Sequence, residues 1–210
     1  MKGISHTEPM SVNCLLAGIG GQGTVLASKL IARAAMDKGL TVRTSETIGM
    51  AQRGGCVVSH VRMGRMIHSP LVPLESADLI IGFEPAEAVR YLHYLRENGT
   101  LVVSKNAVKP VTDSLANSNY SGDDMIEYLK HKIKPDNLIV IDGNAIAAQC
   151  GTPKVLNTVL LGAAVQTRIF GFSLRDLQKT VKESLNVKYM EANLCALKSG
   201  AEFFSKGNKV

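Results

Sequence analysis

Apolar residues recur along this chain in two rhythms. Short unbroken runs bounded by glycines or turn residues alternate with longer stretches whose apolar positions return every three or four residues. The first rhythm marks strands buried on both faces; the second marks helices that bury one stripe. Val12–Ala17 is a strand of the first kind. Thr24–Lys38 is a helix with Val25, Leu26, Ser28, Leu30, Ile31, Ala34 and Ala35 at helical spacing, and Gly39 stands where a C-cap glycine belongs. Thr41–Thr44 is a short second strand, followed by a loop from Ser45 to Gly55. Cys56–Arg62 alternates as a strand of mixed exposure, Gly64 marks a turn, and Met66–His68 returns as a hairpin. Ala77–Gly82 is a further buried strand. Pro85 opens a helix running to about Asn98, closed by Gly99. Leu101–Ser104 follows as a strand.

Val108–Tyr120 is polar and rich in turn residues, and Asp123–His131 forms a helix that Pro135 closes. Leu138–Ile141 resumes the sheet, with Asp142-Gly143-Asn144 as a turn at its carboxyl end. From Pro153 onward the rhythm is helical: Val155–Arg168, Ser173–Leu185 and Lys188–Phe204, with Leu160–Ala164 apolar on most faces and therefore buried. Alternation of strands with helices predicts an α/β fold, a mainly parallel Rossmann-like sheet covered by helices, ending in a helical segment over about 153–210. The 210 residues make one domain, 1–210, with no internal repeat.

The first strand breaks into Gly18-Ile19-Gly20-Gly21-Gln22-Gly23 before the first helix. Glycines let the backbone turn sharply and let a ligand or another chain approach closely. The free N–H groups at the start of the helix then make an anion site. Gly18, Gly20 and Gly23 satisfy G-x-G-x-x-G, a dinucleotide-binding spacing that also wants an acidic residue closing the second strand; Glu46 is a candidate. The alternative is a tight turn that packs on a partner.

Charge sharpens this. A formal net charge of +6 suits anionic partners, but the cations are dispersed and aromatics make up only 5% of the chain, so nucleic acid is not indicated. No stretch reads as a signal peptide or a membrane span, which predicts a cytoplasmic chain. Cys14, Cys56, Cys150 and Cys195 are scattered without a C-x-x-C, arguing against a disulfide framework or a metal or iron–sulfur site; they read as buried small hydrophobes. Cys56, beside two glycines, is the one to test for reactivity.

A second motif, Ser45-Glu46-Thr47-Ile48-Gly49-Met50-Ala51-Gln52-Arg53-Gly54-Gly55, feeds into the strand Cys56–Arg62. Arg53 and Arg62 are expected to flank one loop as guanidinium groups suited to phosphate or carboxylate; Arg53 alternatively pairs with Glu46 and pins the loop. G-I-G-G-Q-G and R-G-G-C-V-V-S-H-V-R, in this order and separation, resemble the gamma component of the 2-oxoacid:ferredoxin oxidoreductases. The lead-in I-G-M-A-Q-R-G-G resembles that of the indolepyruvate-type small subunits. The likeness spans about Val12 to Val111 and continues through the helical part.

The resemblance implies oxidative decarboxylation of a 2-oxoacid, most closely an arylpyruvate, on thiamine diphosphate. Electrons pass through 4Fe-4S clusters to ferredoxin, and the acyl group goes to coenzyme A. Ile141-Asp142-Gly143-Asn144 lacks the first glycine of the G-D-G that holds thiamine diphosphate and its magnesium, and the cysteines are not clustered. Thiamine diphosphate, magnesium and the clusters are therefore expected in a large (alpha) partner subunit, without which this chain is inactive. The residues expected to touch coenzyme A or that subunit are Gly18, Gly20, Gly21, Gln22, Gly23, Arg53, Gly54 and Gly55, with no catalytic residue and no metal ligand in this chain. His60 is expected to be a packed or interfacial residue, and His68, His93 and His131 surface ones. Two other readings stay open: a free-standing Rossmann-like NAD(P)-binding enzyme or sensor, and a gamma subunit acting on pyruvate, 2-oxoisovalerate or 2-oxoglutarate.

Overall fold

A computed structural model describes residues 11–48, 54–108 and 120–205. The strands are β1 (Ser11–Ile19), β2 (Thr41–Ile48), β3 (Cys56–Gly64), β4 (Ala77–Gly82), β5 (Leu95–Ser104) and β6 (Leu138–Ile141). The helices are α1 (Thr24–Asp37), α2 (Pro85–Arg90), α3 (Gly122–Lys132), α4 (Gly143–Gln149), α5 (Leu156–Gln166), α6 (Leu174–Ser184) and α7 (Val187–Ser205).

The six strands form one sheet in the order β2-β3-β1-β4-β5-β6. β1, β4, β5 and β6 are mutually parallel, while β3 runs antiparallel to both of its neighbours. The sheet is thus mostly parallel, with one reversed strand inserted between β1 and β2. The reversal follows from the connection: residues 49–55 are too few for the helical crossover a parallel pair needs.

Two apolar layers sandwich the sheet. On one face Leu16, Val61, Met63, Leu79 and Ile81 pack under Leu30 and Ile31 of α1, Val159 and Leu160 of α5, and Leu197 of α7. On the other, Leu15, Val58, Ile80 and Leu101 meet Ala88 of α2 and Ile126 and Leu129 of α3. α5, predicted buried, is covered on nearly every side. It meets α7 so closely that a Cβ on Gly162 would lie 2.1 Å from the Leu197 carbonyl oxygen, and one on Gly200 would lie 2.0 Å from that of Val159.

The structure corrects several expectations. The helix from Pro85 stops at Arg90; Leu92–Tyr94 makes a single 3-10 turn and Leu95 is already in β5. Gly99 is therefore a buried residue within a strand rather than a helix cap. Met66–His68 forms no hairpin and runs as irregular chain. Asp142-Gly143-Asn144 is the start of α4 with Asp142 as N-cap, its side chain accepting from the Ala145 N–H. Cys150 and Cys195 are joined in a disulfide between the end of α4 and the middle of α7, where scattered small hydrophobes were expected. Cys14 is buried in β1 and Cys56 exposed.

Candidate functional site

The carboxyl ends of β1, β4, β5 and β6 form one edge, the side on which open α/β sheets bind ligands. The glycine loop lies there because β1 must turn into α1 within four residues. Gln22 organises it: its Oε1 accepts from the Ile19 N–H at 2.8 Å and its Nε2 donates to the Phe83 carbonyl at 3.0 Å. This folded-back amide ties the end of β1 to the end of β4. A Cβ at Gly18 would sit 2.8 Å from both Gln22 Oε1 and Phe83 Cβ, which is why the penultimate residue of β1 carries no side chain. Gly23 is the N-cap of α1 in the left-handed conformation, φ 81°, which a side chain of its own would disfavour.

The two sequence motifs meet here. The Gly20 N–H donates to the Gly55 carbonyl at 2.8 Å, so the glycine loop and the start of β3 are clamped together. Gly54, exposed and at φ 76°, and Gly21, exposed at φ 103°, stand beside that clamp. Arg53 lies outside the described residues. Arg62 does not flank this loop: it sits at the opposite end of β3, where its Nε donates to Asn13 Oδ1 at 2.9 Å and its Nη1 to the Ser69 and Leu71 carbonyls. Glu46 accepts from Ser28 of α1 at 3.2 Å, which engages the carboxylate a dinucleotide site would use.

Among the described residues no side chain caps α1, and its first turn holds no acidic residue. Its first intrahelical bond is the Ala27 N–H to the Gly23 carbonyl, so the N–H groups of Thr24, Val25 and Leu26 precede the ladder. Beside them opens a groove of about 470 Å³ lined by Gly20, Gly21, Gly23, Thr24, Val25, Leu26, Lys29 and Val57. Lys29, one turn into the helix and exposed, adds a cation to the helix dipole. This is an arrangement for an anion attached to an apolar body. Lys29 was not singled out from the sequence, although its place just past the glycine loop was the available signal.

On the other face of the same edge lies a buried carboxyl pair that sequence reasoning missed. Glu84 caps α2, accepting from the Glu87 N–H at 3.0 Å, and also accepts the Tyr120 hydroxyl. Glu87 Oε1 takes the Arg90 guanidinium at 3.2 Å, while its Oε2 is buried with no partner among the described residues. Burial pushes the Glu87 carboxyl up against the opposing pull of Arg90. Burial and the bond to Glu84 push the Tyr120 hydroxyl above the ordinary phenol value. Glu84 opens a helix two residues past a strand that lacks any motif, so only the N-cap signature before Pro85 pointed to it.

His60 is packed, as expected: buried, its Nδ1 accepts from the Val72 N–H at 3.1 Å and its ring meets Tyr94 edge-on. His68, His93 and His131 are on the surface. The residues that would be needed for thiamine diphosphate or a cluster do not fit such groups. The Asp142 carboxylate is occupied by the α4 N-terminus and, at 2.9 Å, by Lys105. The cysteines do not converge, since two are bonded to each other, one is enclosed in β1 and one is exposed at the start of β3. Among the described residues no helix is long and apolar enough to cross a membrane.

The "Pyruvate ferredoxin/flavodoxin oxidoreductase" family profile matches residues 13–203. The indolepyruvate oxidoreductase subunit IorB of Archaeoglobus fulgidus is 36% identical over 91% of this chain and 94% of its own length. That of Pyrococcus horikoshii is 32% identical over 90% and 94%. The pyruvate/ketoisovalerate oxidoreductases common subunit gamma of Pyrococcus furiosus is 24% identical over 88% and 92%. The fold is that of the keto/oxoacid ferredoxin oxidoreductase gamma subunit from Geobacter sulfurreducens, with TM-score 0.71 and 23% identity, covering 95% of this chain and 99% of that one. It is also found in the 2-oxoglutarate:ferredoxin oxidoreductase from Magnetococcus marinus, with TM-score 0.70 and 19% identity, where 97% of this chain corresponds to 32% of a longer one.

Proposed function

Because this chain belongs to the pyruvate ferredoxin/flavodoxin oxidoreductase family, we propose that it is the small subunit of an indolepyruvate-type 2-oxoacid:ferredoxin oxidoreductase of the cytoplasm. In this reading a larger subunit carries thiamine diphosphate, magnesium and 4Fe-4S clusters. The assembled enzyme converts an arylpyruvate and coenzyme A to arylacetyl-CoA and carbon dioxide, the electrons of the oxidation leaving through the clusters to ferredoxin. The observation that carries the reading is the gradient among relatives. Those named as indolepyruvate subunits share 32% to 36% of residues over about nine-tenths of the chain, against 24% to 26% for the gamma subunits named for pyruvate and ketoisovalerate.

This chain's own part is to bind and orient. The uncapped N–H groups of Thr24, Val25 and Leu26, with Lys29, suit a phosphate group of coenzyme A, and the apolar wall of Val25, Leu26 and Val57 suits its organic body. Gln22 and the Gly20–Gly55 clamp hold that loop in shape, and Arg53, next in sequence to Gly54, is the residue proposed to add a guanidinium to the Lys29 ammonium for the same anion. Engagement of the Gly20 N–H and the Glu46 carboxylate within the chain weighs against a free-standing NAD site.

The test uses the assembled complex. Coenzyme A is expected to slow hydrogen exchange at the Thr24–Leu26 amides, and Lys29→Glu or Arg53→Glu to raise the KM for coenzyme A about tenfold or more with unchanged thermal unfolding. Tight NAD binding by the isolated chain, with no exchange protection by coenzyme A in the complex, would overturn the reading.

A further inference from the structure

The chain between β3 and β4 has no regular structure, yet it is held at many points. Arg62 Nη1 donates to the Ser69 and Leu71 carbonyls, the Val72 N–H donates to His60, and the Glu75 N–H donates to the His93 carbonyl at 3.2 Å. Ile67 and Val72 are turned inward and buried. Three other large apolar side chains of the same stretch are turned outward: Met66 is 76% exposed, Leu71 54% and Leu74 62%. A segment pinned this firmly could hide those side chains at little cost; holding them in water on a fixed frame is how a docking surface is built.

Its charge selects the occupant. Arg43 and Arg62 are direct cross-strand partners and so share one face, the face over which this segment runs. Arg65 adds a third cation at the start of the segment, and Glu75 is the opposing acid within it; Asp78 beyond it is engaged by Arg96 at 2.8 Å. A second copy of this chain would bring the same three guanidinium groups against one another. The complementary surface is apolar at its centre and carries carboxylates at its rim.

We propose that Met66, Leu71 and Leu74, rimmed by Arg43, Arg62 and Arg65, form the surface on which the large subunit docks, through an apolar patch edged by acidic side chains. This rests on the small-subunit reading above. It places the interface along the amino edge of the parallel strands, where the segment passes from the end of β3 to the start of β4, and away from the glycine loop at the carboxyl edge.

The experiment titrates the purified large subunit with this chain and follows complex formation by light scattering and by coenzyme A-dependent dye reduction. Met66→Asp/Leu74→Asp is expected to weaken assembly at least a hundredfold while keeping the wild-type unfolding temperature and monomeric mass. Val187→Asp/Tyr189→Asp, which charges another exposed apolar pair on α7, is expected to leave assembly unchanged. Arg43→Glu is expected to slow association about tenfold at low salt, with the difference shrinking as salt is raised. Assembly of the Met66→Asp/Leu74→Asp chain within about threefold of wild type would overturn the docking surface alone. A wild-type chain that is a dimer, dissociated by those two substitutions, would overturn it in favour of self-association. Failure of the unaltered chain to assemble would overturn the small-subunit reading and this proposal with it.

Discussion

Replacing Gln22 by alanine removes the amide that joins the end of β1 to the end of β4. Two hydrogen bonds disappear, to the Ile19 N–H and the Phe83 carbonyl, both in a partly buried setting. Each is worth about 1 kcal/mol net, and leaving the two backbone groups short of partners adds about 1 kcal/mol more in total, because water reaches the site only in part. The expected loss is about 3 kcal/mol. For a domain of this size each kcal/mol lowers Tm by about 2–4 °C, so a drop of roughly 6–12 °C should appear in a thermal melt. Gly18→Ala alone should also destabilise, because its Cβ meets Gln22 Oε1 and Phe83 Cβ. In the Gln22→Ala background one of those two obstacles is gone, so the double variant should lose less than the sum of the singles, a coupling of about 1 kcal/mol. Gln22→Glu can still accept from Ile19 but turns an anion toward the Phe83 carbonyl. Its folded-state pKa should be raised, so its deficit should shrink as the pH falls toward the unfolded carboxyl value and the protonated acid donates to Phe83. A Gln22→Ala melt within 1–2 °C of wild type, or strictly additive losses, would refute this role for Gln22.

Gly162→Ala drives its Cβ into the Leu197 carbonyl on α7, so α5 and α7 must part by more than 1 Å; a loss of about 3–5 kcal/mol is expected in denaturant melts, and a loss below 1 kcal/mol would contradict the packing. The Cys150–Cys195 bond closes a loop of sequence separation 45, worth about 4 kcal/mol in the loop-entropy account, so reduction should lower Tm. Thiol titration of the unreduced, denatured chain should find the two free groups of Cys14 and Cys56; four would contradict the bond. Burial lowers the His60 pKa below its ordinary value, and its Nδ1 is occupied as an acceptor. Stability from the neutral ring is therefore full above about pH 6.5 and falls as acid protonates the unfolded chain first, so Tm should decline below that pH in wild type and decline less in His60→Gln.

The parts of this molecule that were legible are those where local pattern and tertiary role coincide. Leu138–Ile141 and Ala77–Gly82 are strands as predicted, since an apolar run bounded by turns leaves little else to become. The glycine loop was recognisable because the backbone there needs residues without side chains. Its working part was not: Gln22 turns its amide back onto Phe83, a residue far along the chain, so the loop's shape depends on β4 being alongside. The helix from Pro85 was extended too far because Ala88, Leu92 and Leu95 fall at helical spacing, yet Leu95 joins the ladder with Ala77 and Tyr94 packs on His60. Arg62 was assigned to the wrong end of β3 because β3's direction sets which end meets the glycine loop; the shortness of the link from β2 was the overlooked clue. The disulfide left no trace in spacing, since its halves meet only when α7 packs back across α4.

The central claim is tested most directly by steady-state kinetics of this chain copurified with its large subunit under anaerobic conditions. Coenzyme A-dependent reduction of ferredoxin should proceed with a kcat/KM for indolepyruvate well above those for pyruvate, 2-oxoisovalerate and 2-oxoglutarate, and should vanish when this chain is omitted. A complex that prefers pyruvate or 2-oxoglutarate would contradict the indolepyruvate assignment, and activity undiminished without this chain would contradict its place in the enzyme.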